Sequence, residues 1–131
     1  ELSEGSEHTI KMLNSGKDGT MVFEPAVIKV SVGDTIHFKA TDLSHNSASM
    51  AGMIPSGADS WAGMLSQDIS VTLDKEGVYV YQCDPHVMMA MVGVVQVGSA
   101  VNMAEVQEAA TQQKSSFIMN GTRLESYLSQ L

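Results

Sequence analysis

From His8 to Val97, apolar and polar residues alternate in short runs of period two, the spacing of strands that bury one face. His8–Leu13 (HTIKML) alternates loosely and runs into the turn-rich NSGKDG. Val22–Val32 follows, with Pro25 expected at an edge or a break because proline offers the ladder no donor. After Gly33–Asp34, the segment TIHFKA sets Ile36 and Phe38 on one face and His37 and Lys39 on the other. Asp68–Leu73 (DISVTL) alternates cleanly, and Glu76–Gly77 turns into VYVYQC. Met91–Val97 (MVGVVQV) is nearly all apolar, as in a central strand buried on both faces. Short strands separated by turn signals predict a β-sandwich or a small barrel.

Two segments depart from that period. His45–Gln67 is weakly patterned and is expected to pack against one edge of the sheets, with length enough for a helical turn. Beyond Val101 the character changes. Asn102 and Glu105 have capping-box spacing, MAEVQEAATQQ is rich in helix formers, and Val106, Ala109 and Ala110 share a face with Met103. Asn120–Gly121 interrupts, after which Leu124, Leu128 and Leu131 recur at helical spacing. The expectation is a single, mainly β domain over residues 1–131, with its strands before residue 98 and a helical pair after residue 102.

Charge narrows the partners. Fifteen acidic residues against seven Lys and Arg give a net charge of -8, which argues against nucleic acid and favours a partner with a basic docking face. No apolar run approaches the roughly 20 residues of a membrane span. The opening ELSEGSEHT has neither a basic nor a hydrophobic signal region, so a cytosolic or a processed chain is expected. A single cysteine excludes an intramolecular disulfide. Most of the 10 methionines are read as core filler, but Met88, Met89 and Met91 crowd behind Cys83 too closely for composition to explain.

The chemistry concentrates in CDPHVMMAM at Cys83–Met91. Thiolate and thioether are soft ligands and imidazole suits copper; two histidines, a cysteine and a weak axial methionine make a blue-copper site. Cys83, His86 and one methionine come from this loop, so a second histidine has to come from elsewhere. His45 is the candidate, since it follows TIHFKA and reaches the same pole; His8 and His37 sit in strand patterns and are expected at the surface. Asn46 is placed to tie the two loops together. Other readings of the same residues are a thiol nucleophile with its base, a zinc site, and a buried free cysteine beside a loop histidine. The nucleophile lacks an orienting acid, since Asp84 is adjacent and points away, and zinc rarely takes a thioether.

His45–Asn46, Cys83-x-Pro85-His86 and Met91 before a last apolar strand resemble the cupredoxins, and within them the pseudoazurin family. KMLNSG, MVFEPAVIKVSVGDTIHF, MIPSGA and the helical tail extend the likeness over about residues 7–131. The resemblance implies a Greek-key β-sandwich with two C-terminal helices, in a monomeric, periplasmic chain trimmed of its signal peptide. It assigns one type 1 copper ion to His45, Cys83, His86 and Met91, with Asn46, Met21, Pro85 and Met89 around them. It implies no enzyme but a carrier of single electrons in bacterial respiration or denitrification, donating to copper nitrite reductase or another reductase. The alternative is a periplasmic Cu(I) chaperone or store using Met50, Met53, Met64 and Met88. Three local features stand apart from the family pattern: Ala90 in place of a glycine, Asp84 in place of a small neutral residue, and Met88 as an addition. Ser15, Leu43 and Gln82 stand where lysines ring the family's copper pole.

Overall fold

A computed structural model describes residues 5–131 as two stacked four-stranded sheets with a helical tail. β1 (Glu7–Gly16) and β2 (Gly19–Glu24) form a hairpin closed by Lys17–Asp18 alone. The expected turn at NSGKDG is therefore shorter: Ser15 and Gly16 stay in the strand because Thr20 and Gly19 pair with them. That extension carries Asn14 to the pole where the chemistry lies.

Val22–Val32 divides at Pro25, and β3 (Val27–Val30) crosses to the second sheet. β4 (Thr35–Lys39) runs parallel to β1 and antiparallel to β6 (Ile69–Thr72); β5 (Ala48–Ser49) is a two-residue edge strand. β7 (Gly77–Gln82) pairs with β5 and β8, and β8 (Val92–Val97) lies between β7 and β3. Both faces of β7 and β8 are covered, one by the first sheet and the other by the tail. Their near-continuous apolar runs follow from that position.

Two apolar clusters result. Ile10, Phe23, Phe38, Tyr81, Cys83 and Met91 are part of the one between the sheets, where Phe23 and Phe38 meet the Tyr81 ring edge-on at 4.8 Å between centroids. Val78, Val80, Val92 and Val94 pack outward against Val106 and Leu124 of helices α1 (Met103–Gln113) and α2 (Arg123–Leu128). Full burial of a side chain of this size stabilises by about 1.5–3 kcal/mol, so the tail is an integral cover for the second sheet.

Three expectations are corrected. Asn102 does not cap α1 with its side chain; its Oδ1 accepts from the Val78 N–H at 2.6 Å and its Nδ2 donates to the Val78 carbonyl at 2.9 Å. Along β7, β5 reaches Tyr81 and Gln82 and stops short of Val78, leaving the Val78 backbone on that edge for Asn102. The stretch from His45 to Gln67 packs on this edge as expected, but it holds β5 and an Ala48–Ala62 bridge instead of a helical turn. His8 is turned inward: its Nε2 lies 2.8 Å from Asp34 Oδ2, with both side chains under a tenth exposed. His37 does stay at the surface, between Ser70 and Glu7. Among the described residues, no helix is long and apolar enough to cross a membrane.

Candidate metal centre

Two neighbouring segments meet at one end of the sandwich. The chain after β4 brings His45, and the end of β7 brings Cys83 directly before a 3-10 turn over Asp84–Met89 that carries His86. Pro85 starts that turn with its fixed φ. The loop closes on itself: the Cys83 N–H donates to Met91 O at 2.9 Å and the Met91 N–H to His86 O at 3.3 Å. Met91 is thus brought back beside Cys83, and both are fully buried.

His45 Nδ1 lies 3.6 Å and His86 Nδ1 3.3 Å from Cys83 Sγ. The three donor atoms all fall within 4.8 Å of one another, the spacing of ligands to a single ion. Asn14 fixes the tautomer: its Oδ1 is 2.7 Å from His45 Nε2. A carboxamide oxygen only accepts, so Nε2 carries the proton and Nδ1 turns its lone pair to the sulfur. Nothing in the sequence pointed to Asn14, which read as a turn former; its partner lies far along the chain.

Asn46 bridges the two segments as expected. Its Oδ1 accepts from the Asp84 N–H at 2.7 Å, and its Nδ2 donates to Gly63 O at 3.1 Å and to Asp84 Oδ2 at 2.9 Å. Asp84, engaged with Asn46 and with Gln82 Nε2, faces away from the sulfur. Burial pushes the Cys83 thiol above its ordinary value, against the pull of the Asn46 and His86 backbone N–H groups. Burial, followed by the charge of His86, lowers His45. A thiol raised and an imidazole lowered describe a site that resists holding bare charge, and a bound cation relieves the thiolate half of that cost.

The remaining singled-out residues separate by environment. Ala90 is fully buried at φ 57°, in the left-handed region. Glycine takes that conformation freely and alanine at a cost of about 1–2 kcal/mol, partly offset here by about 0.8 kcal/mol for burying its methyl group. Met21, at φ 52°, packs against the cluster between the sheets. The Met88 side chain is half exposed, while its carbonyl accepts from the Ile118 and Met119 N–H groups at 2.7 and 3.1 Å. Met50 and Met53 are buried in the cluster beneath the helices, whereas Met64 and Met88 are exposed. These four do not share one environment from which to bind Cu(I).

Two histidine nitrogens and a thiolate sulfur on one centre, a buried thioether residue alongside, and a two-sheet sandwich define a copper electron-transfer protein. Residues 10–98 match the family described as copper binding proteins, plastocyanin/azurin family. A pseudoazurin of Methylorubrum extorquens is 44% identical over 108 residues, covering 82% of this chain and 73% of the relative. The refined crystal structure of pseudoazurin from Methylobacterium extorquens AM1 superposes with a TM-score of 0.82 at 41% identity, over 95% of this chain and 98% of that one. Native pseudoazurin from Hyphomicrobium denitrificans gives a TM-score of 0.86 at 36% identity over the same shares. The chain belongs to the plastocyanin/azurin family of copper-binding proteins, as the pseudoazurins do, and these are electron carriers and not enzymes.

Proposed function

We propose that His45, Cys83, His86 and Met91 hold one type 1 copper ion in a single-domain monomer that carries single electrons between periplasmic redox partners. The observation that carries this reading is the convergence of both Nδ1 atoms on Cys83 Sγ. The donor set fits copper: a soft thiolate and thioether with two imidazoles, a compromise acceptable to both of its oxidation states. Copper held there supplies a reversible one-electron couple.

The chain's own residues keep the cage rigid and give it an outlet. Asn14 pins the His45 ring and Asn46 locks the His45 segment to the Cys83 loop, so the donors need little rearrangement when charge changes. His45, Cys83 and Met91 are fully buried, while His86 is partly exposed between exposed Pro85 and partly buried Val87. His86 is accordingly the point of electron entry and exit. Met21, Pro85 and Met89 line its surroundings and tune the site by packing and by the N–H that proline lacks. A small apolar contact of this kind suits brief electron-transfer encounters, below roughly 1,200 Å².

Partner choice follows from charge. Net charge is -8, and Asp84 lies exposed on the copper loop. The partner is therefore a reductase with a basic docking face, in respiration or denitrification; a copper nitrite reductase with such a face qualifies. Two measurements test this. The copper-loaded protein should show an intense thiolate-to-copper visible band that bleaches reversibly on reduction and is lost in Cys83→Ser. Colourless Cu(I) binding with handover to an acceptor would overturn the reading in favour of a chaperone. Turnover with a basic-faced reductase should fall with ionic strength, and a rise would exclude that docking mode.

A further inference from the structure

The copper loop is held from behind by an arginine. Arg123, the first residue of α2, is 8% exposed. Its Nη1 donates to the carbonyl oxygens of Met21 at 2.9 Å and Ala90 at 3.3 Å, and its Nη2 to that of Asp18 at 3.3 Å. Met21 and Ala90 are both left-handed, non-glycine residues, at φ 52° and 57°. One guanidinium nitrogen therefore bridges the carbonyls of two strained positions, one in β2 and one directly before Met91. The hairpin makes room for it: a Cβ on Gly19, at φ 118°, would stand 3.3 Å from Nη2.

A buried guanidinium persists only where its donors are satisfied. Here backbone carbonyls accept three of its hydrogen bonds, from two segments that are remote in sequence. The planar fork keeps these carbonyls at fixed separations, which a flexible ammonium does not. The Met21 and Ala90 carbonyls belong to residues whose left-handed conformation is unfavourable by itself, so the clamp holds there what local preference would release. The Ala90 carbonyl is part of the peptide that delivers Met91.

We propose that Arg123 is a positioning residue for the metal centre. By holding the Ala90–Met91 peptide it sets the approach of the Met91 thioether, and by holding Met21 it keeps that side chain beside the copper loop. The C-terminal helix thereby governs the properties of the site as well as covering the sheet. This rests on the ligand set proposed above.

The test compares Arg123→Met, Arg123→Lys and Tyr127→Phe. Methionine keeps much of the aliphatic stem and removes every donor. Tyr127 lies on the same helix and donates its hydroxyl to Asp18 Oδ2 at 3.2 Å, so phenylalanine weakens helix docking without touching the Ala90 or Met21 carbonyls. Arg123→Met should weaken copper binding about tenfold or more, shift the reduction potential and change the relative intensity of the thiolate-to-copper bands. Arg123→Lys should restore part of each change, and Tyr127→Phe should lower the melting temperature alone. In copper-free protein, amide exchange at Met91 should accelerate in Arg123→Met and not in Tyr127→Phe. If Arg123→Met does not fold, Arg123→Lys against Tyr127→Phe gives the same contrast.

Unchanged affinity, bands, potential and Met91 exchange in a folded Arg123 variant would overturn the proposal. So would equal changes in Tyr127→Phe, which would reduce Arg123 to a structural anchor. Wild-type protein without the thiolate-to-copper band would overturn the ligand set instead, and the copper-free exchange data would still decide the clamp.

Discussion

Asn46 joins two loops through one carboxamide, and each of its polar atoms is used. Alanine there would leave the Asp84 N–H and the Gly63 carbonyl without their partner in a part-buried setting. An abandoned group of this kind costs about 1–3 kcal/mol. Asn46→Ala should therefore destabilise copper-free protein by about 2–4 kcal/mol in urea unfolding. It should also weaken copper binding about 10–100-fold in a competition titration. A loss of stability with unchanged affinity would show that the bridge serves the fold and not the cage. Asn46 could be read in the sequence because it adjoins His45. Asn14 could not, since it occupies a run of turn formers and gains its role only through the parallel pairing of β1 with β4. Ala90 was visible as a departure from a glycine, and only φ supplied the physical reason.

Period-two alternation located the strands because one-sided burial writes itself into the chain, as at Ile36 and Phe38. The same patterning could not say that Val22–Val32 serves two sheets, a choice made by Pro25 and by which edge remained open. The capping-box spacing at Asn102 and Glu105 gave the right helix for a different reason. Asn102 mimics a strand residue, pairing with both backbone groups of Val78 and tying α1 to β7. The two roles make opposite predictions. As a cap, Asn102 would tolerate serine or aspartate at little cost. As a bridge, it requires a donor and an acceptor at carboxamide length. We expect Asn102→Ser and Asn102→Asp to lose about 1–3 kcal/mol, nearly as much as Asn102→Ala, by chemical denaturation. Copper spectra should be unaffected, because Val78 lies at the start of β7 and Cys83 follows its end. Rescue by serine would restore the capping role.

Across the whole molecule, β1 links two polar anchors that do different work. At one end Asn14 orients His45; at the other, about 20 Å along an extended strand, His8 pairs with Asp34. His8 shares the face of Ile10 and Met12, so its inward direction was present in the alternation, masked by the habit of reading strand histidines as surface. The Asp34 carboxyl is held below its ordinary value of 3.8, first by the hydrogen bond from His8 and then by the Ser31 N–H, with burial opposing. A carboxyl depressed in the folded state stabilises above its unfolded value and loses that contribution as pH falls through the lower folded value. The window here opens below about pH 4. Comparing wild type with Asp34→Asn in copper-free protein isolates this pair from the metal ligands, which also bind protons. The stability difference between them should shrink as pH falls below about 4, where the Asp34 carboxylate takes up its proton. A difference that held level down to pH 2.5 would mean that Asp34 is not depressed and that acid lability arises elsewhere. His8→Phe removes the main cause of the depression while burial remains. In that variant the carboxyl rises, and acid destabilisation should begin at a higher pH than in the wild type.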